Sequence, residues 1–158
     1  MTIDTICIQH LLDKVASDAA GSLITFLGTT RCQFNNRKVK ALHYEAHPQM
    51  CIHQINLMIN EAKLKFNLLN VAIVHRVGSV GVGETSVAVA VASVHRKNGY
   101  EASVWIMDQV KAKLPVWKRE YYWDADPEWK QNPEGIQKQL QFQQGKNTSN
   151  TIDNDKDF

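Results

Sequence analysis

From residue 22 onward the chain alternates short β-branched runs with stretches whose apolar residues recur three and four apart. That is the signature of strands interleaved with amphipathic helices. Residues 3–8 predict a short strand, and His10 to Ala20 a short helix stopped by Gly21. Ser22–Gly28 reads as a strand, followed by a polar loop with Arg31, Asn35, Asn36 and Arg37, and Val39–Glu45 as its partner strand. Pro48 suits the first position of a helix, and Ile52, Ile55, Ile59, Ala62 and Phe66 predict its buried stripe. Val71–Val77 is the next strand. Gly78, Gly81 and Gly83 predict a hairpin into Thr85–Val94. In that long strand Val87, Val89 and Val91 share one face, and Ala88, Ala90 and Ala92 the other, so both faces should be buried. The small alanines leave room for another element or subunit to approach closely. A helix from about His95 to Ala112 and an extended segment from Pro115 to Trp123 complete the pattern. No internal repeat is visible.

Composition narrows this to one domain. A chain of 158 residues, 44% hydrophobic and 22% charged, can bury a real core. Residues 1–136 form the expected domain. From Gln137 to Phe158 the sequence is Gln, Asn, Lys and Asp with little to bury, and reads as a disordered tail. A net charge of +2 is too small to draw a nucleic acid or membrane by bulk electrostatics, so any basic function must come from local clustering. Three scattered cysteines, Cys7, Cys32 and Cys51, make neither a disulfide framework nor a thiolate zinc site. With no signal-like start and no apolar run near the ~20 residues a span requires, the expected compartment is the cytosol.

The candidate chemistry lies around Pro115. Tyr100, Val104, Met107, Lys111 and Leu114 are spaced four, three, four and three apart, which puts Lys111 in line with expected core positions. Such a lysine either snorkels its ammonium to a pocket or meets an anion. Pro115 stops the helix and turns the chain back. In the extended segment that follows, Val116 and Lys118 share a face, with Trp117 and Arg119 on the other. Crowded ammonium groups favour a neutral, usable amine, whereas a solvated Lys/Arg run would carry no chemistry. His95 and Arg96 stand at a helix start, a place for a phosphate or simply a surface pair. Arg96 and Lys111 are fifteen residues apart on one helix, roughly 22 Å at the rise of an α-helix. They cannot grip one small ligand within one chain unless the helix is broken. Arg31 opens a polar loop after a strand, a place for either an anion-binding arginine or a plain loop residue. The glycines at 78, 81 and 83 match neither the P-loop nor the dinucleotide-binding spacing. His43, His47, Cys51 and His53 lack ligand spacing, and no metal is expected.

Five blocks in order give these residues a context: Phe26-Leu27-Gly28-Thr29-Thr30-Arg31, Leu42-His43-Tyr44-Glu45-Ala46, Val74-His75-Arg76-Val77-Gly78 with Gly83-Glu84, Val94-His95-Arg96, and Lys111 through Glu120. From about Gly21 to Trp129 the chain resembles the large, catalytic subunit of molybdopterin synthase. The resemblance implies an α+β fold of the α/β hammerhead type with an additional α+β subdomain, a mixed or antiparallel sheet packed by helices. It implies a sulfurtransferase in molybdenum cofactor biosynthesis that needs no cofactor of its own. A small ubiquitin-like sulfur carrier inserts a C-terminal Gly-Gly thiocarboxylate, and sulfur passes twice to cyclic pyranopterin monophosphate. The assembly implied is a homodimer at the centre of a heterotetramer. Family functional positions map onto Thr29, Thr30, Arg31, His95, Arg96, Lys111, Lys118, Arg119 and Glu120. Lys111 and Lys118 are then the catalytic pair, with Lys111 beside the thiocarboxylate carbonyl as acid/base or transient nucleophile. Lys118 and Arg31 hold substrate, and His95 and Arg96 of a second chain take the phosphate. Two departures from the family pattern stand out: Gly99 early in a helix, and Gln131, Asn132 and Pro133 after Lys130 where another basic residue is common. The competing readings are a non-catalytic module for a ubiquitin-like Gly-Gly tail and a small RNA-binding domain, though no RNP-like motif or basic stripe is present.

Overall fold

The long two-faced strand is the axis of the molecule. The computed structural model describes residues 1–130. In chain order they form α1 (Ile8–Val15), β1 (Ser22–Thr29), β2 (Gln33–Phe34), β3 (Arg37–Ala46), α2 (Pro48–Phe66), β4 (Asn70–His75), β5 (Gly78–Gly81), β6 (Thr85–Ser93), α3 (Arg96–Lys113), β7 (Val116–Tyr122) and β8 (Glu128–Lys130). β6 lies between β1 and β4 in a three-stranded antiparallel sheet. Val87, Val89 and Val91 meet α2 and α3 through Ile55, Met58, Ala62, Ala102, Ile106 and Val110. Ala88, Ala90 and Ala92 meet Ile6, Leu11 and Val15, so the element that exploits the small side chains is α1. Burying each of these larger side chains contributes about 1.5–3 kcal/mol, which makes this double-sided core the main source of stability.

The second sheet is built on β3, which pairs antiparallel with β7 on one side and with β2 and β5 over different stretches. β8 extends it beyond β7. The fold is therefore mixed α+β, with three helices and antiparallel sheets among the described residues. None of these helices is long and apolar enough to cross a membrane.

Several expectations need correction. Residues 3–8 are not a strand: Thr2 alone bridges to Arg76, and the helix begins at Ile8 and ends at Val15, earlier at both ends than predicted. The α2 stripe is Cys51, Ile55, Met58 and Ala62, while Ile52 is half-exposed, because Cys51 turns inward beneath the Pro115 carbonyl. The glycine segment is not a hairpin with β6; β5 pairs with β3, Val80 opposite Leu42. The loop after β1 holds an unpredicted hairpin turn at Asn35 and Asn36, with φ of 49° and 61°. Asparagine tolerates that left-handed conformation better than most residues. Residues 131–136 and the predicted tail from 137 lie outside the described residues.

Gly99 has a reason. α3 packs so closely on β1 and β6 that a Cβ at position 99 would lie 2.7 Å from Ile24 Cγ1 and 2.8 Å from Ser93 Oγ. Helix propensity alone would favour alanine there by about 1 kcal/mol. The overpacking should win, so Gly99→Ala is expected to destabilise the fold by about 1–2 kcal/mol in urea unfolding. A gain in stability would show that the helix can lift off the sheet without cost.

Candidate active site

The elbow around Pro115 is held from three directions. α3 ends with the Leu114 N–H donating to the Val110 carbonyl at 3.1 Å, and the Val116 N–H donates to the Leu114 carbonyl at 2.8 Å. The buried Cys51 thiol donates to the Pro115 carbonyl at 3.4 Å. Burial pushes that thiol above its ordinary range, so it serves as a neutral donor. β7 then runs antiparallel to β3, placing Trp117 opposite Glu45, Lys118 opposite Tyr44 and Glu120 opposite Leu42.

Alternation along β7 turns Lys118, Glu120 and Tyr122 to one face. Glu120 is 4% exposed and holds the site together. The Lys118 ammonium lies 3.1 Å from its Oε1, and the Tyr122 hydroxyl donates to its Oε2. Burial, then the bond to Glu120, pushes the Tyr122 hydroxyl up to about 12, so it remains a donor through the whole physiological range. The Arg37 guanidinium lies 3.7 Å from the Tyr122 ring centroid and pairs with Glu128 at 2.6 Å. The charge fixed beside Lys118 is thus a carboxylate, where the sequence suggested a second cation. A buried carboxylate without such partners would cost several kcal/mol.

Lys111 stands in the last turn of α3, four residues before Pro115. The sequence placed it in the core stripe, and that is corrected: α3 buries Gly99, Ala102, Ser103, Ile106, Met107 and Val110, while Lys111 is exposed. Tyr100 and Val104 of the expected stripe are 60% and 67% exposed. Of the predicted stripe only Met107 and Leu114 are buried. Arg119 occupies the other face of β7, over the rings of Tyr121 and Trp129. Its Nε is buried without a hydrogen-bond partner among the described residues.

Thr29 ends β1, and Thr30 is clamped to the turn before β6: its N–H donates to the Glu84 carbonyl, and its carbonyl accepts from the Gly83 N–H. The Thr30 hydroxyl is buried and unpaired among the described residues. Arg31 is exposed, with its guanidinium 5.5 Å from the Phe34 ring centroid. His95 and Arg96 are exposed at the opposite end of α3 from Lys111. The helix is continuous from Arg96 to Lys113, so no break brings these two groups together.

The sequence reading assigned no role to Tyr44, His75, Arg76, Glu84 or Tyr122. Arg76 and Glu84 pair at 2.8 Å, and Glu84 accepts from the Gly81 N–H at 2.9 Å. That backbone bond, then Arg76, holds the Glu84 carboxyl below its usual range. His75 packs edge-on to Tyr44 with ring centroids 5.0 Å apart, joining the two sheets. Burial lowers His75 and raises Tyr44. The signal was present in the Leu42–Ala46 and Val74–Gly78 blocks, whose polar residues serve packing between sheets.

His75 yields a pH prediction. Its folded-state pKa lies below the unfolded value of about 6.5. The stability it contributes is complete above about pH 6.5 and is lost as pH falls toward the folded pKa. Compared with the wild type, His75→Gln should show a flatter fall in unfolding free energy between about pH 6.5 and 5. Parallel pH curves would assign the acid sensitivity to other groups.

A cleft of about 770 Å³ between α1, α2 and β4 is lined by none of the predicted site residues. Their chemistry is instead displayed on the elbow and at the helix ends.

Fold and site together define a two-sheet α+β protein that presents a carboxylate-held lysine beside a helix end, with further cations at the far end of the same helix. The family described as "MoaE protein" matches residues 1–113. The chain is 39% identical over 131 residues to the molybdopterin synthase catalytic subunit of Arabidopsis thaliana, covering 83% of this chain and 66% of that protein. It is 40% identical over 119 residues to the same subunit of Thermoplasma volcanium, covering 75% and 87%. Molybdopterin synthase from Staphylococcus aureus superposes with a TM-score of 0.78 at 27% identity, over 82% of this chain and 93% of that one. The chain belongs to the MoaE family, the molybdopterin synthase catalytic subunits.

Proposed function

We propose that the chain transfers sulfur from the C-terminal thiocarboxylate of a small ubiquitin-like carrier to cyclic pyranopterin monophosphate, twice, to make molybdopterin in the cytosol. The observation that carries this reading is the lysine held at the Pro115 elbow by a buried carboxylate, in a chain of this family. Lys111 is placed beside the thiocarboxylate carbonyl, as acid/base or transient nucleophile. Lys118, oriented by Glu120, and Arg31 offset the negative charge of substrate and carrier tail. Thr29, Thr30 and Arg119 complete the substrate contacts. The reading calls for no metal and no cofactor.

His95 and Arg96 bind the phosphate from a second chain. The unbroken α3 supports this, because it keeps Arg96 roughly 22 Å from Lys111 within one chain. The assembly is then a homodimer with one carrier at each outer end. A solved structure described as a complex of subunits 1 and 2 of molybdopterin-converting factor from Helicobacter pylori has the same fold, at a TM-score of 0.65 and 19% identity. The three-stranded sheet between α1 and the α2–α3 pair, beside a second sheet, supports a hammerhead with an α+β subdomain and a catalytic unit of residues 1–136.

Reconstitution tests the reading. The purified chain, given thiocarboxylated carrier and cyclic pyranopterin monophosphate, should form molybdopterin with two carriers consumed per product, and none with carrier ending in a plain carboxylate. Tight carrier binding without product would instead favour a non-catalytic module for Gly-Gly tails.

A further inference from the structure

Arg31 stands where the two sheets meet. The residue before it is tied to the first sheet: the Thr30 N–H donates to the Glu84 carbonyl at 3.0 Å, and the Gly83 N–H to the Thr30 carbonyl at 2.9 Å. The residue after it is tied to the second, the Val39 N–H donating to the Cys32 carbonyl at 2.9 Å. The first tie is not ordinary strand pairing. The register of β1 and β6 shifts between Gly28 and Thr29, so Thr30 is gripped by the turn that precedes β6. That turn keeps its shape through Glu84. Its N–H donates to the Gly81 carbonyl at 3.1 Å, Gly83 supplies a φ of 82°, and its carboxylate accepts from the Gly81 N–H at 2.9 Å. The same carboxylate oxygen, Oε2, lies 2.8 Å from Nη1 of Arg76. Arg76 stands between β4 and β5, where the chain crosses from the first sheet to the second, and its own N–H donates to the Ser86 carbonyl at 2.7 Å.

We infer that Arg76 and Glu84 are positioning residues for sulfur transfer: their pair fixes the turn from 81 to 84, the turn fixes Thr30, and Thr30 aims Arg31 at the substrate. The inference rests on the substrate role of Arg31 in the proposed function and adds the device that places it. Stability alone does not explain the pair. The Glu84 side chain is 46% exposed, and an ion pair with so wet a partner adds little to folding. The Arg76 side chain is only 13% exposed, and its Nε is buried without a hydrogen-bond partner among the described residues. Holding a guanidinium half-satisfied costs free energy, and what it secures is the shape of one turn. Arg31 depends on that shape. Its guanidinium rests over the Phe34 ring, which orients the head but does not fix the backbone beneath it. A long side chain turns a small backbone rotation into a displacement of about an ångström, which at a reacting centre can cost on the order of a hundredfold in rate.

Arg76→Met keeps an apolar stem and removes the donors. In the full chain, assayed with thiocarboxylated carrier and cyclic pyranopterin monophosphate, it is expected to lower product formation about tenfold, with circular dichroism unchanged. A double-mutant cycle with Arg31→Ala identifies the route. Because the pair acts through Arg31, adding Arg76→Met to Arg31→Ala should cost nothing further. Hydrogen exchange reads the turn without substrate: the Thr30 and Gly83 amides should exchange faster in Arg76→Met, while the β1 amides bonded to β6 keep their rates. Glu84→Ala breaks the pair from its exposed side and should reproduce both effects, so the comparison survives if Arg76→Met fails to fold. Glu84→Gln keeps an acceptor for Gly81 and should recover most of the loss. Wild-type activity in Arg76→Met, multiplied losses in the double variant, or unchanged exchange at Thr30 and Gly83 would overturn the positioning role and leave sulfur transfer standing. Full activity in Arg31→Ala would remove its substrate role from the proposed function and overturn the positioning role with it.

Discussion

Replacing Lys111 with alanine is expected to lower molybdopterin formation by about a hundredfold or more, the range typical of removing a positioned proton-transfer group. Stability should hardly change, because Lys111 is exposed in the last turn of α3 and is not part of the core that packs on β6. That combination separates chemistry from folding. The loss should appear in kcat with carrier affinity little altered, since one exposed ammonium contributes little to a protein–protein contact. Full activity in Lys111→Ala would remove it from the catalytic role.

The second large effect is at Glu120, and it should combine both losses. Removing this carboxylate deprives the buried Tyr122 hydroxyl of its acceptor and the Lys118 ammonium of its partner. Lys118 is 38% exposed and can regain water, so most of the penalty falls on Tyr122. Glu120→Ala is expected to destabilise the fold by roughly 3 kcal/mol, from the unsatisfied hydroxyl and the cavity together. Activity should fall because Lys118 loses its fixed position. Glu120→Gln keeps the shape and one acceptor, so it should recover most of the stability but not the placement of the ammonium. If Glu120→Gln matched the wild type in both urea midpoint and turnover, the carboxylate would have neither role.

Much of this was legible in the residues. The alternation in Thr85–Ser93 identified the central strand and its two buried faces, because period-two burial leaves a clear trace. Pro48 and Pro115 marked a helix start and a helix stop through their missing N–H. The α3 stripe failed for a physical reason. Tyr100 and Val104 are apolar residues at helical spacing, and spacing alone does not say whether an apolar stripe meets its own sheet or another molecule. The true core face uses Gly99, Ala102 and Ser103, small residues that carry little hydrophobic signal but allow close approach to β1 and β6. The Glu120–Tyr122 bond was hidden for a similar reason. Two polar residues on a strand read as solvent-facing until pairing with β3 encloses them. Spacing and the Pro115 stop singled out Lys111 and Lys118, and element ends singled out His95, Arg96 and Arg31, each beside a plain structural alternative; only the family resemblance gave them roles.

The central claim is a sulfur-transfer site assembled from two chains, with Lys111 and Lys118 from one and His95 and Arg96 from the other. Mixing an Arg96→Ala chain with a Lys111→Ala chain tests it most directly. Each alone should be nearly inactive. Random exchange makes half the dimers hybrid, each with one intact site, so about a quarter of wild-type activity should return. No recovery, with subunit exchange demonstrated by mass, would contradict the account.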